Sequence, residues 1–172
     1  SITDLVEAAG VARGTFYLYF ESKDAVFLAL LDDLLAELRA SVSGVDVAHG
    51  APSLDAQLET IVERILRTAE TNRGLGTILF RGAVGLGAVV DAKLAAFYDS
   101  LHDYIAETLR VGIALGLARP VDVDVVATLV LGSLKQTIER ELVGLPPGEA
   151  FDVRRFARAI VDYNLHGLSA KK

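Results

Sequence analysis

The sequence contains no cysteine, which removes disulfide frameworks, thiolate metal sites and cysteine nucleophiles together. Methionine is absent as well. Long apolar runs are missing: charge-free stretches such as Val125 to Leu134 fall well short of the roughly 20 residues that a membrane-spanning helix needs. No N-terminal segment joins a basic start, an apolar run and a small-residue cleavage site. The expectation is a cytoplasmic protein, neither secreted nor inserted in a membrane. A basic surplus is also lacking. The formal net charge of −6 by itself points away from nucleic acid, because affinity for DNA comes mainly from Lys and Arg displacing counterions from phosphates. Aromatic residues are scarce at 7%, whereas apolar residues make up 52% of the 172 positions and are mostly Ala, Leu and Val. That is the material of helix-on-helix packing rather than of a β-sandwich. Nothing alternates with period two for long enough to make a strand, so the expected fold class is all-α.

Signatures of catalysis are missing too. His49, His102 and His166 lie far apart and lack the i, i+4 spacing of a helical metal pair. No Walker loop, GxGxxG, GxSxG or HExxH occurs. The expectation is a protein that is not an enzyme and carries no metal or cofactor.

What is present is helical periodicity. Ile2, Leu5, Val6 and Ala9 share one face of a short helix that Gly10 stops, and a second short helix runs from about Arg13 to Tyr19. Ser22 is placed to cap a longer helix to about Ser41, with a core stripe of Phe27, Leu30, Leu31, Leu34, Leu35 and Leu38. A loop over Ser43 to Pro52 precedes a fourth helix marked by Leu54, Leu58, Ile61, Val62, Ile65, Leu66 and Ala69. Arg73 to Val90 is apolar but holds Gly74, Gly76, Gly82, Gly85 and Gly87, so a broken or short helix is expected there. A long helix follows from Lys93 to Leu117, ending near Gly116 and Pro120. Two more, Asp122 to Val143 and Phe151 to Leu168, make a hairpin about the Leu145-Pro146-Pro147-Gly148 turn. Val123, Val126, Val130, Leu134 and Ile138 form one stripe on the former, and Val125, Leu129 and Leu131 a second, so that helix calls for partners on two sides.

Two short helices around a tight glycine turn fit a helix-turn-helix. Small Ala9, Gly10 and Ala12 would let them cross closely, with Val11 and Phe16 plugging the space between. Arg13, Thr15 and Tyr17 remain on a face that a major groove could receive.

The run Thr3-Asp4-Leu5-Val6-Glu7-Ala8-Ala9-Gly10-Val11-Ala12-Arg13-Gly14-Thr15-Phe16-Tyr17-Leu18-Tyr19-Phe20-Glu21-Ser22-Lys23-Asp24 resembles the DNA-binding signature of the TetR/AcrR family. A weaker likeness continues at Ala114 to Pro120. The resemblance implies a first helix carrying basic residues ahead of Ser1, so a segment preceding Ser1 is expected. It implies that Thr3 meets phosphate at a helix N-terminus, that Arg13 and Thr15 face base edges, and that Tyr17, Tyr19 and Lys23 hold the DNA backbone. Gly14 would allow close approach, while Phe16 and Phe20 would be core. Taken one at a time, the tyrosines would more often be packing residues and Lys23 a solvated charge; their shared register is what favours the DNA reading.

The implied architecture is a helix-turn-helix head over residues 1–21, N-terminally truncated, and an effector-binding and dimerisation body over 22–172. The partners expected are operator DNA, an apolar small-molecule effector and a second copy of the chain, paired through 122–143 and 151–168 as a four-helix bundle. Phe80, Phe97, Tyr98 and His102 are the candidate effector liners, where family members keep their cavity, although buried aromatics are more often plain core. The glycines of the Arg73 to Val90 segment suggest space for such a cavity. The implied function is a transcriptional regulator, a repressor released by its effector. A helical carrier of hydrophobic ligands without DNA activity is the rival reading, which the acidic charge favours and the AGVARGTFYLYF run does not; an enzyme of unrecognised type is a poorer third.

Overall fold

The computed structural model describes residues 1–81, 87–146 and 148–168, and these form helices joined by turns, with no strand among the described residues. The elements are α1 (Ile2–Ala9), α2 (Arg13–Tyr19), α3 (Lys23–Ser41), α4 (Leu54–Thr71), α5 (Arg73–Arg81), α6 (Ala88–Ala114), α7 (Val123–Thr137), a π-helical segment (Ile138–Val143) and α8 (Val153–His166). No described helix is long and apolar enough to cross a membrane. Two compact units, Ser1–Ala36 and Glu37–Lys172, divide within α3; the division suggested by the sequence motif lies between Glu21 and Ser22, just ahead of α3.

In the first unit, the Ser1 hydroxyl accepts the Asp4 N–H and caps α1. Gly10, at φ 65°, ends the helix in the left-handed region that glycine enters without Cβ strain, and the Val11 N–H returns 3.0 Å to the Val6 carbonyl. Val11 is therefore not the expected plug between helices: it closes a C-terminal motif with its backbone and leaves its side chain exposed. Val6 and Phe16 are the buried residues of α1 and α2. Ser22 Oγ accepts the Ala25 N–H at 3.1 Å, the cap expected for α3. Leu31 and Leu34 of the expected α3 stripe are buried, but Leu30 lies off that face and is half exposed.

The second unit is built on α4 and α8. Val62, Leu66 and Ala69 on α4 meet Val153, Ala157, Ile160 and Val161 on α8, with Phe151 and Leu142 completing the cluster. Leu66 and Leu142 are 0% exposed, so truncating either to Ala would cost about 2–5 kcal/mol through lost transfer energy and an unfilled cavity. Leu134 and Ile138 pack on the same cluster. Around it, α5 packs on the π segment and α6 on α7.

Three expectations change in detail. The long helix begins at Ala88 rather than Lys93, entered through Gly87 at φ 94°. The expected Asp122 to Val143 helix is α-helical only to Thr137, and its last turn widens into the π segment. The wider turn accompanies the burial of two successive residues, Leu142 in the α4–α8 cluster and Val143 near α5. The glycines of the following segment also have other uses than slack. A Cβ on Gly76 would stand 3.3 Å from Val143 Cγ2, so this glycine permits close approach of α5 to the π segment, while Gly74 faces open space. Gly82 and Gly85 lie outside the described residues, as does Pro147 of the expected turn.

Candidate functional site

The first unit presents one face of α2. Phe16 points inward, packed edge-on to Tyr17 at 5.4 Å between ring centroids and tilted against Phe20 at 6.0 Å. Every other residue of α2 is exposed, as are Thr3 on α1 and Lys23 at the start of α3. Arg13, Gly14, Thr15, Tyr17 and Tyr19 thus stand on solvent-facing helix surface. Of these the structure joins Arg13 and Tyr17: the guanidinium lies 6.0 Å from the ring centre, and Nη2 is 3.5 Å from the tyrosine hydroxyl. One residue on α2 was given no role by its sequence. Leu18 is 81% exposed, with no apolar neighbour of its own unit covering it. Its signal was available, since it falls one turn after Gly14.

The candidate effector residues sit on α5 and α6. Phe97 is buried, Phe80 and Tyr98 are partly buried, and the Tyr98 ring meets Phe97 at 5.8 Å. Tyr98 is the focus of a polar group that periodicity did not reveal. Lys135 Nζ of α7 lies 5.1 Å from its ring centre. Burial, and then the nearby Glu139 charge from the π segment, push the tyrosine hydroxyl above its usual range. His102 is placed differently from these aromatics. Its Nε2 lies 3.1 Å from the Asp124 carbonyl at the start of α7, and its Nδ1 3.7 Å from Asp103. The imidazole joins α6 to α7, a link that Arg110 reinforces with an ion pair to Asp124 at 3.3 Å.

A second set of bonds ties the end of α3 into the body. Arg39 Nη2 donates to Ser100 Oγ at 2.7 Å, and Ser100 donates to the Phe97 carbonyl at 2.8 Å. Ser41 shares a 3.0 Å bond with Thr68 on α4, and Asn72 donates to Glu37 at 3.0 Å. Buried Ser41 also donates to the Glu37 carbonyl. Nothing in the spacing of these residues announced the Arg39–Ser100, Ser41–Thr68 and Asn72–Glu37 bonds, because each joins residues distant in sequence.

Residues 1–30 match the family model described as bacterial regulatory proteins, tetR family. Over 154 residues, 89% of this chain and 77% of the relative, the sequence is 24% identical to the uncharacterized HTH-type transcriptional regulator YvdT of Bacillus subtilis. The fold is similar to that of the TetR family transcriptional regulator PfmR from Thermus thermophilus, with a TM-score of 0.73 at 25% identity, covering 99% of this chain and 90% of that one. It is also similar to the transcriptional regulator FadR from Bacillus subtilis, solved in complex with stearoyl-CoA, with a TM-score of 0.72 at 14% identity over 98% of this chain and 89% of that one. With the turn at Gly10, the exposed α2 face, the family match over residues 1–30 and an all-helical fold similar along its length to that of PfmR, the head of the chain is that of the tetR family of bacterial regulatory proteins, and the whole is similar to TetR family transcriptional regulators.

Proposed function

We propose that the protein is a homodimeric repressor that binds operator DNA through α2 and leaves it when an apolar small molecule occupies the body. The observation that carries this reading is the α2 surface: a single inward anchor, Phe16, and an outward face holding a cation, a hydroxyl and aromatic side chains. Those groups suit a major groove, where Arg reads guanine bidentately and hydroxyls serve either base edges or phosphate. Thr3 and Lys23, each in the first turn of its helix, suit phosphate, since free backbone N–H groups there favour an anion. Tyr17 and Tyr19 flank the reading face and would grip the sugar-phosphate strands. Such a regulator works where the chromosome is, in the cytoplasm.

The remaining roles fall to the body, the part of the chain from Ser22 onward. An effector bounded by Phe80, Phe97, Tyr98 and His102 would touch α5 and α6, and the Lys135–Tyr98–Glu139 group would meet its polar end. A fatty acyl thioester is the specific candidate, because FadR holds stearoyl-CoA within a similar fold. Its effect needs only preferential binding to the arrangement whose two heads no longer match DNA half-sites, about 34–36 Å apart for successive turns. The path is Phe97 to Ser100 to Arg39, from the candidate site to the end of α3.

The test is binding of full-length protein to its own upstream DNA at stated salt, with and without lauroyl-CoA. Wild type should bind sequence-specifically and lose affinity with the thioester. Lys23→Ala should weaken binding to all sequences alike and lower the salt slope by about 1, whereas Arg13→Ala should cost about 1–3 kcal/mol at one base pair per half-site. If both variants bind as wild type does, the residue roles are wrong even with the fold right.

A further inference from the structure

Leu18 is 81% exposed on α2, whose one buried residue is Phe16. At about 100° per residue, Gly14 and Leu18 both project within about 20° of the direction opposite Phe16. They form the outermost ridge of the helix, one turn apart. Arg13 and Tyr17, joined to one another, lie on one flank of that ridge, and Thr15 lies on the other. Gly14 has no side chain and nothing within 4 Å of where a Cβ would stand. In a groove the ridge is the part that goes deepest, and the absence of a side chain at Gly14 lowers the helix until Leu18 is the first side chain to reach the floor. Leucine has no donor or acceptor, so it cannot hold phosphate or pair with a base edge. The one apolar group that the major groove offers is the C5-methyl of thymine.

We propose that Leu18 is a specificity-determining residue that packs on the C5-methyl of a thymine in each half-site. The proposal rests on the operator-binding reading above and adds to it a base, a position and an interaction without hydrogen bonds. Removing the methyl should cost what burying one methyl group is worth, about four-fold per half-site and about fifteen-fold for the symmetric pair.

The experiment begins with full-length protein and selection from random-sequence duplex DNA. The selected duplex is then remade with deoxyuridine replacing thymine, one symmetric pair at a time, and affinities are measured at fixed salt. Wild type should lose affinity at one thymine position per half-site and tolerate uracil elsewhere. Leu18→Ala should bind the unmodified duplex more weakly, retain its helical circular dichroism, and no longer distinguish thymine from uracil at that position. Thr15→Ser, which deletes the other methyl near the ridge, should keep the distinction. A selected duplex on which wild type tolerates uracil everywhere overturns the proposal without any appeal to the variants and leaves operator binding standing. Uracil sensitivity that survives in Leu18→Ala but vanishes in Thr15→Ser overturns it too, by giving the methyl contact to Thr15. Failure to enrich any duplex overturns both the proposal and the operator-binding reading beneath it.

Discussion

Arg39 at the end of α3 donates to Ser100 on α6, and Ser100 in turn donates to the carbonyl of Phe97, its neighbour on the same helix. Two short bonds, 2.7 and 2.8 Å, thus connect a candidate effector residue to the helix whose first residue is Lys23. If that path carries the response to effector, Ser100→Ala and Arg39→Ala should leave effector-free DNA affinity near wild type. They should reduce the ratio of affinities without and with effector by about 0.5–2 kcal/mol, the range over which such connecting residues modulate coupling. Anisotropy titrations with and without lauroyl-CoA measure it, and an unchanged ratio in both variants removes the path.

The proposed dimer has a cleaner probe than the residues that periodicity alone would choose. Val130 and Leu134 lie on the first stripe of α7, and Leu134 packs on the protomer's own α4–α8 cluster, so charging it tests folding. Val125 and Leu129, one turn apart on the second stripe, are 54% and 64% exposed, and Tyr163 on α8 is exposed as well. Leu129→Glu should therefore yield a folded monomer by light scattering at micromolar concentration, with helical circular dichroism retained. Leu134→Glu should lose the helical signal itself. A stable Leu129→Glu dimer would put the interface on another surface.

Tyr98 carries a pH dependence whose sign is fixed by its surroundings. Burial and the Glu139 charge disfavour the phenolate, so the folded protein keeps this proton at a pH where the unfolded chain releases it. The contribution to stability is whole below the ordinary tyrosine value of about 10 and is lost as pH rises through the higher folded value. Chemical denaturation of wild type and Tyr98→Phe should show a constant difference at neutral pH, with wild type falling relative to the variant in strongly alkaline buffer. Parallel curves throughout would mean that Tyr98 is solvated in the folded protein.

Much of the head was legible in the sequence. The glycine at position 10, the serine at 22 and the single inward phenylalanine at 16 each act within a few residues, through a left-handed turn, a cap bond and one anchor contact. Val11 shows the limit even here. Its apolar side chain suggested a plug, but its backbone N–H was the group the motif needed. The candidate effector site was legible only as a set of aromatics on one long helix. Lys135 and Glu139 reach Tyr98 from α7 and the π segment, a juxtaposition that no local pattern encodes.

By itself the sequence determined the helices of this protein, the cap and turn that set α2 after α1, and the family to which that head belongs. Those rest on interactions between near neighbours, where 3.6-residue periodicity and the conformational freedom of Gly10 leave few alternatives. The tertiary structure alone decided which of the two apolar stripes of α7 the protomer keeps for itself, where that helix widens into a π turn, and which side chain of that turn Gly76 approaches. It also turned His102 toward the Asp124 carbonyl and brought Arg39 to Ser100. Each of these depends on a surface supplied by a helix far away in the chain, and a stripe of leucines and valines carries no mark of which surface it will meet.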